Sequence, residues 1–339
     1  MSVTALALIA TFVTAWGLTG LFGRPKRPVG PLDHPNPRSL HHLPRPRSGG
    51  LAMVAGLTVG SVLWAPGELA PLGLALLPGV LVAAVDDWRA LSFAPKLLGQ
   101  GLTAGLLLAL WLPPPGLTGL PTPLEGVLWG VFIVATTNFY NFMDGLDGLA
   151  ATMAVVGFAS LAGLGLVAGQ VDYAALCALI ALAAGGFLVF NWPPARIFMG
   201  DVGSTTLGAL VGVMVLAGAA SGVASPPLAL LPFAPFGIDA GVTLAVRLWR
   251  REAVWRAHRQ HYYQRLALMG VQRRAILWGY GGLMVAGGLS AFGVCRSPEL
   301  VQHAIVGLWV VIYGLVIAHL EARLPARSAT ATPSGENPP

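Results

Sequence analysis

Charge is what this sequence has least of. Lysine, arginine, aspartate and glutamate together make up 10% of its 339 residues, where a soluble domain carries roughly 25%. Lysine is nearly missing: 18 of the 20 basic residues are arginine, and only Lys26 and Lys96 are lysine. Cysteine is equally scarce. Cys177 and Cys295 lie far apart, in or beside apolar stretches, which excludes a disulfide framework and a thiolate metal cage. A chain that is 55% hydrophobic, with a mean hydropathy of +0.71, does not suit a core surrounded by water. Lipid is the solvent it fits.

What is present is a series of long apolar runs, near residues 3–22, 48–65, 69–85, 97–112, 122–139, 147–168, 173–190, 204–220, 226–246, 275–294 and 300–320. They predict an all-α integral membrane protein with about 11 transmembrane helices. No basic run precedes the first segment, which is too long for a signal-peptide core and reads as a retained span. Residues 1–322 read as one polytopic catalytic domain. Residues 323–339, polar and proline-containing, read as a disordered cytoplasmic tail.

Charge placement predicts the orientation. With the N-terminus outside, the inner connections are 23–47, 86–96, 138–147, 191–203, 247–274 and the tail. They hold 19 of the 20 basic residues, and only Arg296 falls outside. The positive-inside rule therefore puts the N-terminus outside and the C-terminus in the cytoplasm. The same alternation gathers Asp86, Asp87, Asp144, Asp147 and Asp201 on the inner face. The net charge of +6 is explained by this bias and by anionic headgroups, so a nucleic-acid partner is not expected.

Four inner segments carry candidate chemistry. Asp86-Asp87-Trp88 ends a span, and adjacent carboxylates at a membrane surface call for a divalent or cationic partner. Lys96 follows, a compact ammonium suited to a phosphate oxygen. In the second segment, Asn138, Asn141, Asp144 and Asp147 recur every three positions, which on a helix lines one stripe. Gly145 and Gly148 leave room for a ligand beside the acids. In the third, Asp201 sits between Gly200 and Gly203, and Ser204 or Thr205 is expected to cap the following helix, a natural phosphate seat. In the fourth, His258 and His261 stand among Arg256, Arg259 and Arg265, a poor zinc site but a good anion site. The basic, proline-stiffened stretch 35–50 reads as topogenic, or as binding lipid headgroups or substrate phosphate. Asp239 lies within an apolar span, where an acid is costly and usually functional.

Carboxylates for a metal, a lysine, glycines and a basic histidine loop suit phosphoryl transfer. The strings DDWRALSFAPKLLGQ, NFYNFMDGLDGLA and FMGDVGS, in that order, resemble the polyprenyl-phosphate N-acetylhexosamine-1-phosphate transferases of glycosyltransferase family 4. The resemblance covers about residues 35–266 and implies the following. Asp86 and Asp87 lie by the metal and the lipid phosphate, and one of them positions or deprotonates that phosphate. Lys96 contacts phosphate. Asn141, Asp144 and Asp147 line the nucleotide and diphosphate site, with Asp147 near uracil and Asn138, Gly145 and Leu146 completing the stretch. Phe198 stacks on uracil. Asp201, with Asp87, holds Mg²⁺, for which Mn²⁺ can substitute. His258 and His261 act at the diphosphate, with Arg256 and Arg259 meeting its charge.

The loop HRQHYYQRL departs from the clustered histidines of the best-known branches and is closer to the O-antigen and exopolysaccharide-initiating subgroup. It is expected over the sugar, with Tyr262 and Tyr263 beside it. The implied reaction transfers a sugar-1-phosphate, from an N-acetylhexosamine or its 6-deoxy form, from a UDP-sugar to undecaprenyl phosphate and releases UMP. The implied setting is the bilayer of the bacterial inner membrane with a cytoplasm-facing site, and a homodimer is left open. Two other classes bind metal or cations through acids: an intramembrane Mg²⁺-diphosphate prenyltransferase, whose acids are spaced four apart rather than three, and an ion-coupled transporter, whose acids lie in mid-membrane.

Overall fold

A computed structural model describes residues 2–24, 27–34, 43–114, 116–254 and 258–324. The chain begins with α1 (Val3–Phe22). A short antiparallel pairing of β1 (Leu32–Asp33) with β2 (Arg45–Pro46) follows. Helices α2 (Gly49–Trp64), α3 (Pro66–Trp88), α4 (Phe93–Leu106), α5 (Thr122–Met143), α6 (Leu149–Val167), α7 (Val171–Asn191) and α8 (Gly200–Ala220) come next. The chain ends with the short α9 (Pro226–Ala229), then α10 (Ala234–Trp249), the short α11 (Tyr262–Leu268), α12 (Arg273–Val294) and α13 (Glu299–Arg323).

The protein is an all-helical integral membrane protein. Among the described residues ten helices are long and apolar enough to cross a bilayer, and α2, at 16 residues, is shorter. Every expected apolar run contains a helix. The boundaries move where local chemistry moves them. Helix α4 starts at Phe93 and closes in a π turn, Leu107–Trp111. The 226–246 run is cut into α9, a 3₁₀ turn at Leu231–Phe233, and α10. Pro226, Pro227, Pro232 and Pro235 withhold the N–H groups that a continuous helix would need. Helix α13 runs on to Arg323, and residues 325–339 of the expected tail lie outside the described residues.

Helix α8 is the axis of the bundle. It is buried from Gly200 to Gly218 almost without a break, and α3 and α5 pack along it. Its sequence explains this, because small residues recur on the faces where its neighbours cross. A Cβ added to Gly208 would lie 2.6 Å from the Thr137 Cα, and one on Gly212 would lie 3.0 Å from the Ile133 Cα. Only glycine lets α5 approach so closely. The C-terminal ends of α3, α5 and α10 and the N-terminal ends of α4 and α8 thereby meet at one end of the bundle.

The charge pattern predicts that this end faces the cytoplasm. With Cys177 and Cys295 replaced, single cysteines at Ser297 and at Met269, which is 49% exposed, should differ toward an impermeant thiol reagent on intact cells. Position 297 should label and position 269 only after permeabilisation. The reverse pattern would invert the orientation.

Candidate functional site

The site is assembled from helix ends that satisfy one another. The first amides of a helix have no partner within it. In α2 the N–H groups of Gly49 and Gly50 donate to the carbonyls of Phe198 and Met199, at 3.0 and 2.7 Å, and the Phe198 N–H donates back to Pro46 O. In α8 the N–H groups of Asp201 and Val202 donate to Oδ1 and Oδ2 of Asp87, at 2.9 and 3.2 Å. The cap of α8 thus comes from the end of α3. Ser204 and Thr205 lie inside the helix instead, donating to the carbonyls of Gly200 and Asp201. Gly200 makes the junction geometrically possible. Its φ is +72°, and a Cβ there would meet Arg47 O at 2.3 Å and Asp87 Oδ2 at 2.8 Å.

Around this junction two cations face four acids. Lys96 Nζ forms an ion pair with Asp86 and lies 3.3 Å from Asp201 Oδ2. Arg47 reaches Asp201 Oδ1 at 3.3 Å and Asp87 Oδ1 at 3.5 Å. The Leu91 N–H donates to Asp86 Oδ1 at 2.6 Å. Asp144, just past the end of α5, is the fourth acid. Burial and then the Asp201 carboxylate push its carboxyl up to about 7. Arg47 is the residue that sequence reasoning missed here. In sequence it is one of several arginines in a basic loop read as topogenic or phosphate-binding, and its place directly before Ser48-Gly49-Gly50 is what sets it apart.

Beside the acids opens a cavity of about 620 Å³. Asp86, Lys96, Asn138, Asn141, Asp201, His258 and His261 all line it, so the structure gathers seven of the sequence-predicted residues. Its remaining wall is largely apolar, with Val82, Ala83, Phe93 and Leu244. Asn138 Nδ2 donates to Gln100 Oε1 at 2.7 Å, and Asn141 Nδ2 to Ser204 Oγ at 2.8 Å, which fixes both amides.

The other expected residues sit elsewhere. The polar stripe ends with α5 at Met143. Asp147, beyond it, accepts from the Ala195 N–H at 3.1 Å and lies 3.6 Å from Arg273. With Phe198, Arg45 and Arg273 it lines a separate recess of about 180 Å³. Gly145 makes room for a side chain rather than a ligand, since a Cβ there would meet the Tyr263 hydroxyl at 2.2 Å. Leu146 is in the core. Asp87 is expected at the metal, but amides occupy both its oxygens. Arg259 is half-buried and does not line the cavity, and Arg256 lies outside the described residues. Tyr262 and Tyr263 are buried and do not line the cavity, with their hydroxyls donating to Glu321 and to Phe142 O.

The histidine loop is anchored by Asp239, which sequence alone left without a role. Asp239 is 3% exposed. It accepts from the N–H of Tyr262 at 2.9 Å, the N–H of Tyr263 at 3.2 Å and the Tyr280 hydroxyl at 2.5 Å. It therefore caps α11 and is no bare acid on a transport path. His261 Nδ1 lies 3.3 Å from its Oδ1. A neutral ring that donates from Nδ1 to this carboxylate offers Nε2 as an acceptor. His258 has the other tautomer. The Gln260 N–H donates to its Nδ1 at 3.3 Å, so a neutral ring carries the proton on Nε2. Burial, with His261 and Arg247 nearby, pulls the His258 imidazolium down to about 3, leaving the ring neutral. The two rings lie 4.8 Å apart between centroids, and both line the cavity.

Among the described residues no three His, Cys, Asp or Glu side chains form a metal cage. Mg²⁺ does not require one, because it takes one or two carboxylates and completes its shell with water and phosphate oxygens. The donor set fits it. Four carboxylates exceed two cations, and Asp144 accepts no hydrogen bond among the described residues.

The family model for glycosyl transferase family 4 matches residues 69–219. Three relatives place the match in context. A probable undecaprenyl-phosphate N-acetylglucosaminyl 1-phosphate transferase of Bacillus subtilis is 29% identical over 286 residues, covering 79% of this chain and 78% of its own. The phospho-N-acetylmuramoyl-pentapeptide-transferase of Chlorobium phaeobacteroides is 31% identical over 260 residues, covering 63% and 69%. That of Synechococcus sp. RCC307 is 36% identical over 222 residues, covering 57% and 59%.

The cap on α8 should be visible in stability. Asp87→Ala leaves the amides of Asp201 and Val202 without their acceptor and Arg47 with Asp201 alone, a cost of about 1–3 kcal/mol, and should lower the unfolding midpoint of the purified protein. Asp86→Ala should lower it less, because Lys96 keeps Asp201.

Proposed function

Because this chain belongs to glycosyl transferase family 4, we propose that it transfers a sugar-1-phosphate from a UDP-sugar to a polyprenyl phosphate, here undecaprenyl phosphate. An oxygen of the lipid phosphate attacks the sugar-bearing phosphorus. The bond between the two phosphoryl groups breaks, UMP leaves, and a lipid-diphosphate-sugar remains. The setting is the bacterial inner membrane, with the site toward the cytoplasm.

The observation that carries this reading is Lys96 held between Asp86 and Asp201 in a cavity with polar groups at one end and apolar walls around them. An ammonium balanced between two carboxylates is a seat for a phosphate that can take over part of its charge. Lys96 and Arg47 would draw the two phosphate-bearing substrates together, and Asp86 would orient the lipid phosphate through Lys96. A phosphate with a second pKa near 6 is largely ionised at neutral pH, so positioning rather than deprotonation is the demand on Asp86 and Asp144. His258 would donate from Nε2 to a diphosphate oxygen. Asn138 and Asn141 supply neutral amides on the same wall. Asp201, with Asp144, would hold Mg²⁺, which when bound neutralises charge on the phosphoryl group in transfer. The 180 Å³ recess, with an aromatic ring, a carboxylate and two arginines, suits the nucleotide. For the sugar, the reading extends to an N-acetylhexosamine or its 6-deoxy form.

UMP release from UDP-GlcNAc, UDP-FucNAc and UDP-QuiNAc, with and without undecaprenyl phosphate, tests the reading. Release should depend on the lipid and on Mg²⁺, stop on chelation, and be nearly abolished in Asp201→Asn while the protein still inserts and folds. Lipid-independent release, or near-normal turnover in Asp201→Asn, would overturn it.

A further inference from the structure

Helix α13 takes no part in the cavity. It lies at the edge of the bundle, and Trp309 and Tyr313 are its only buried residues among those described. Yet one residue in its last turn reaches the histidine loop. Glu321 accepts from the Tyr262 hydroxyl at 2.8 Å and from Nη1 and Nη2 of Arg265 at 2.6 and 3.1 Å. Arg265 is buried, and its guanidinium also lies over the Tyr262 ring, 5.4 Å from the centroid. A fork-on-carboxylate pair of this kind fixes direction as well as charge. Helix α11 is therefore held from two sides. Asp239 of α10 grips its first amides and the His261 ring, while Glu321 of α13 grips its side.

We infer that Glu321 is a positioning residue for the reaction, setting the place of His261 in the cavity through Tyr262 and Arg265. The chemical reason lies in Arg265. Without Glu321 a buried guanidinium loses this carboxylate partner, which is costly enough to move it. Its movement would pull on Tyr262, the neighbour of His261, and on the amides that Asp239 caps. The histidine would then lose the alignment that fixes its Nε2. A displacement of about 1 Å at such a group can cost up to roughly a hundredfold in rate. The inference rests on the transferase reading for its rate consequence and on geometry alone for the clamp.

The test uses the full-length purified chain, with Glu321→Ala, Glu321→Gln, His261→Ala and the double variant Glu321→Ala/His261→Ala. The Glu321 side chain is 40% exposed, so its replacement leaves the bundle intact. Glu321→Ala should lower kcat for UMP release roughly ten- to a hundredfold with KM for the UDP-sugar little changed. Glu321→Gln, which keeps an acceptor for the Tyr262 hydroxyl, should recover much of the loss. In the His261→Ala background, Glu321→Ala should have no further effect. Amide exchange over residues 258–268 should quicken in Glu321→Ala and stay unchanged elsewhere. A wild-type kcat in Glu321→Ala, losses that multiply in the double variant, or unchanged exchange over 258–268 would each overturn the inference. If the wild-type chain releases no UMP, the reaction reading fails, and the exchange measurement alone decides the clamp.

Discussion

Everything at the reactive end of this bundle depends on one cap. Helix α8 runs almost wholly buried through the protein, and its first amides open into low-dielectric surroundings where an unpaired N–H is costly. Asp87 satisfies two of them from another helix. That bond fixes the end of α3 against the start of α8, and with it the distance between Asp86 and Asp201. Lys96 can then meet both carboxylates, and Arg47 can meet Asp87 and Asp201. Without the cap, three loops far apart in sequence would have no common register. The paired aspartates thus divide the labour: Asp87 builds the floor and Asp86 faces the cavity.

A second acid of the same kind organises the opposite wall. Asp239 does for α11 what Asp87 does for α8, and each lies on a long helix while capping another. The charge of each is dispersed over backbone amides and neighbouring groups, which is how a carboxylate persists inside an apolar bundle. The groups that line the cavity, Lys96, Asp86, Asp201 and the two histidines, are suspended between these two fixed points.

Much of this was legible in the sequence. Spans were legible because hydropathy over twenty residues is a strong signal, and the carboxylate motifs were legible because acids beside apolar runs are rare. What was not legible depends on partners distant in sequence. Nothing near Asp87 says that its oxygens belong to amides 114 residues away, and nothing near Ser204 says that the helix already began at Gly200. Gly145 reads as space for a ligand until Tyr263, on a different helix, is found in it. The three-residue spacing of Asn138, Asn141, Asp144 and Asp147 fits a helix, but the turn after Met143 sends Asp147 to a different recess. Arg47 sits among other arginines in a basic loop, none of which composition singles out, and Glu321 sits in a segment whose composition suggests only a chain end.

Helix α2 has a consequence for the membrane itself. At 16 residues it rises only about 24 Å, against a hydrocarbon layer of about 30 Å. The difference is met either by the bilayer drawing in or by adjoining chain entering it. The chain entering α2 is equipped for the second course, because the N–H of Arg47 donates to Pro31 O, those of Gly49 and Gly50 donate to the carbonyls of Phe198 and Met199, and Pro46 O accepts from the Phe198 N–H, the condition for irregular chain at that depth. Irregular chain on this flank can therefore sit below the headgroup plane, beside Gly200 and Asp201, with its backbone groups paired.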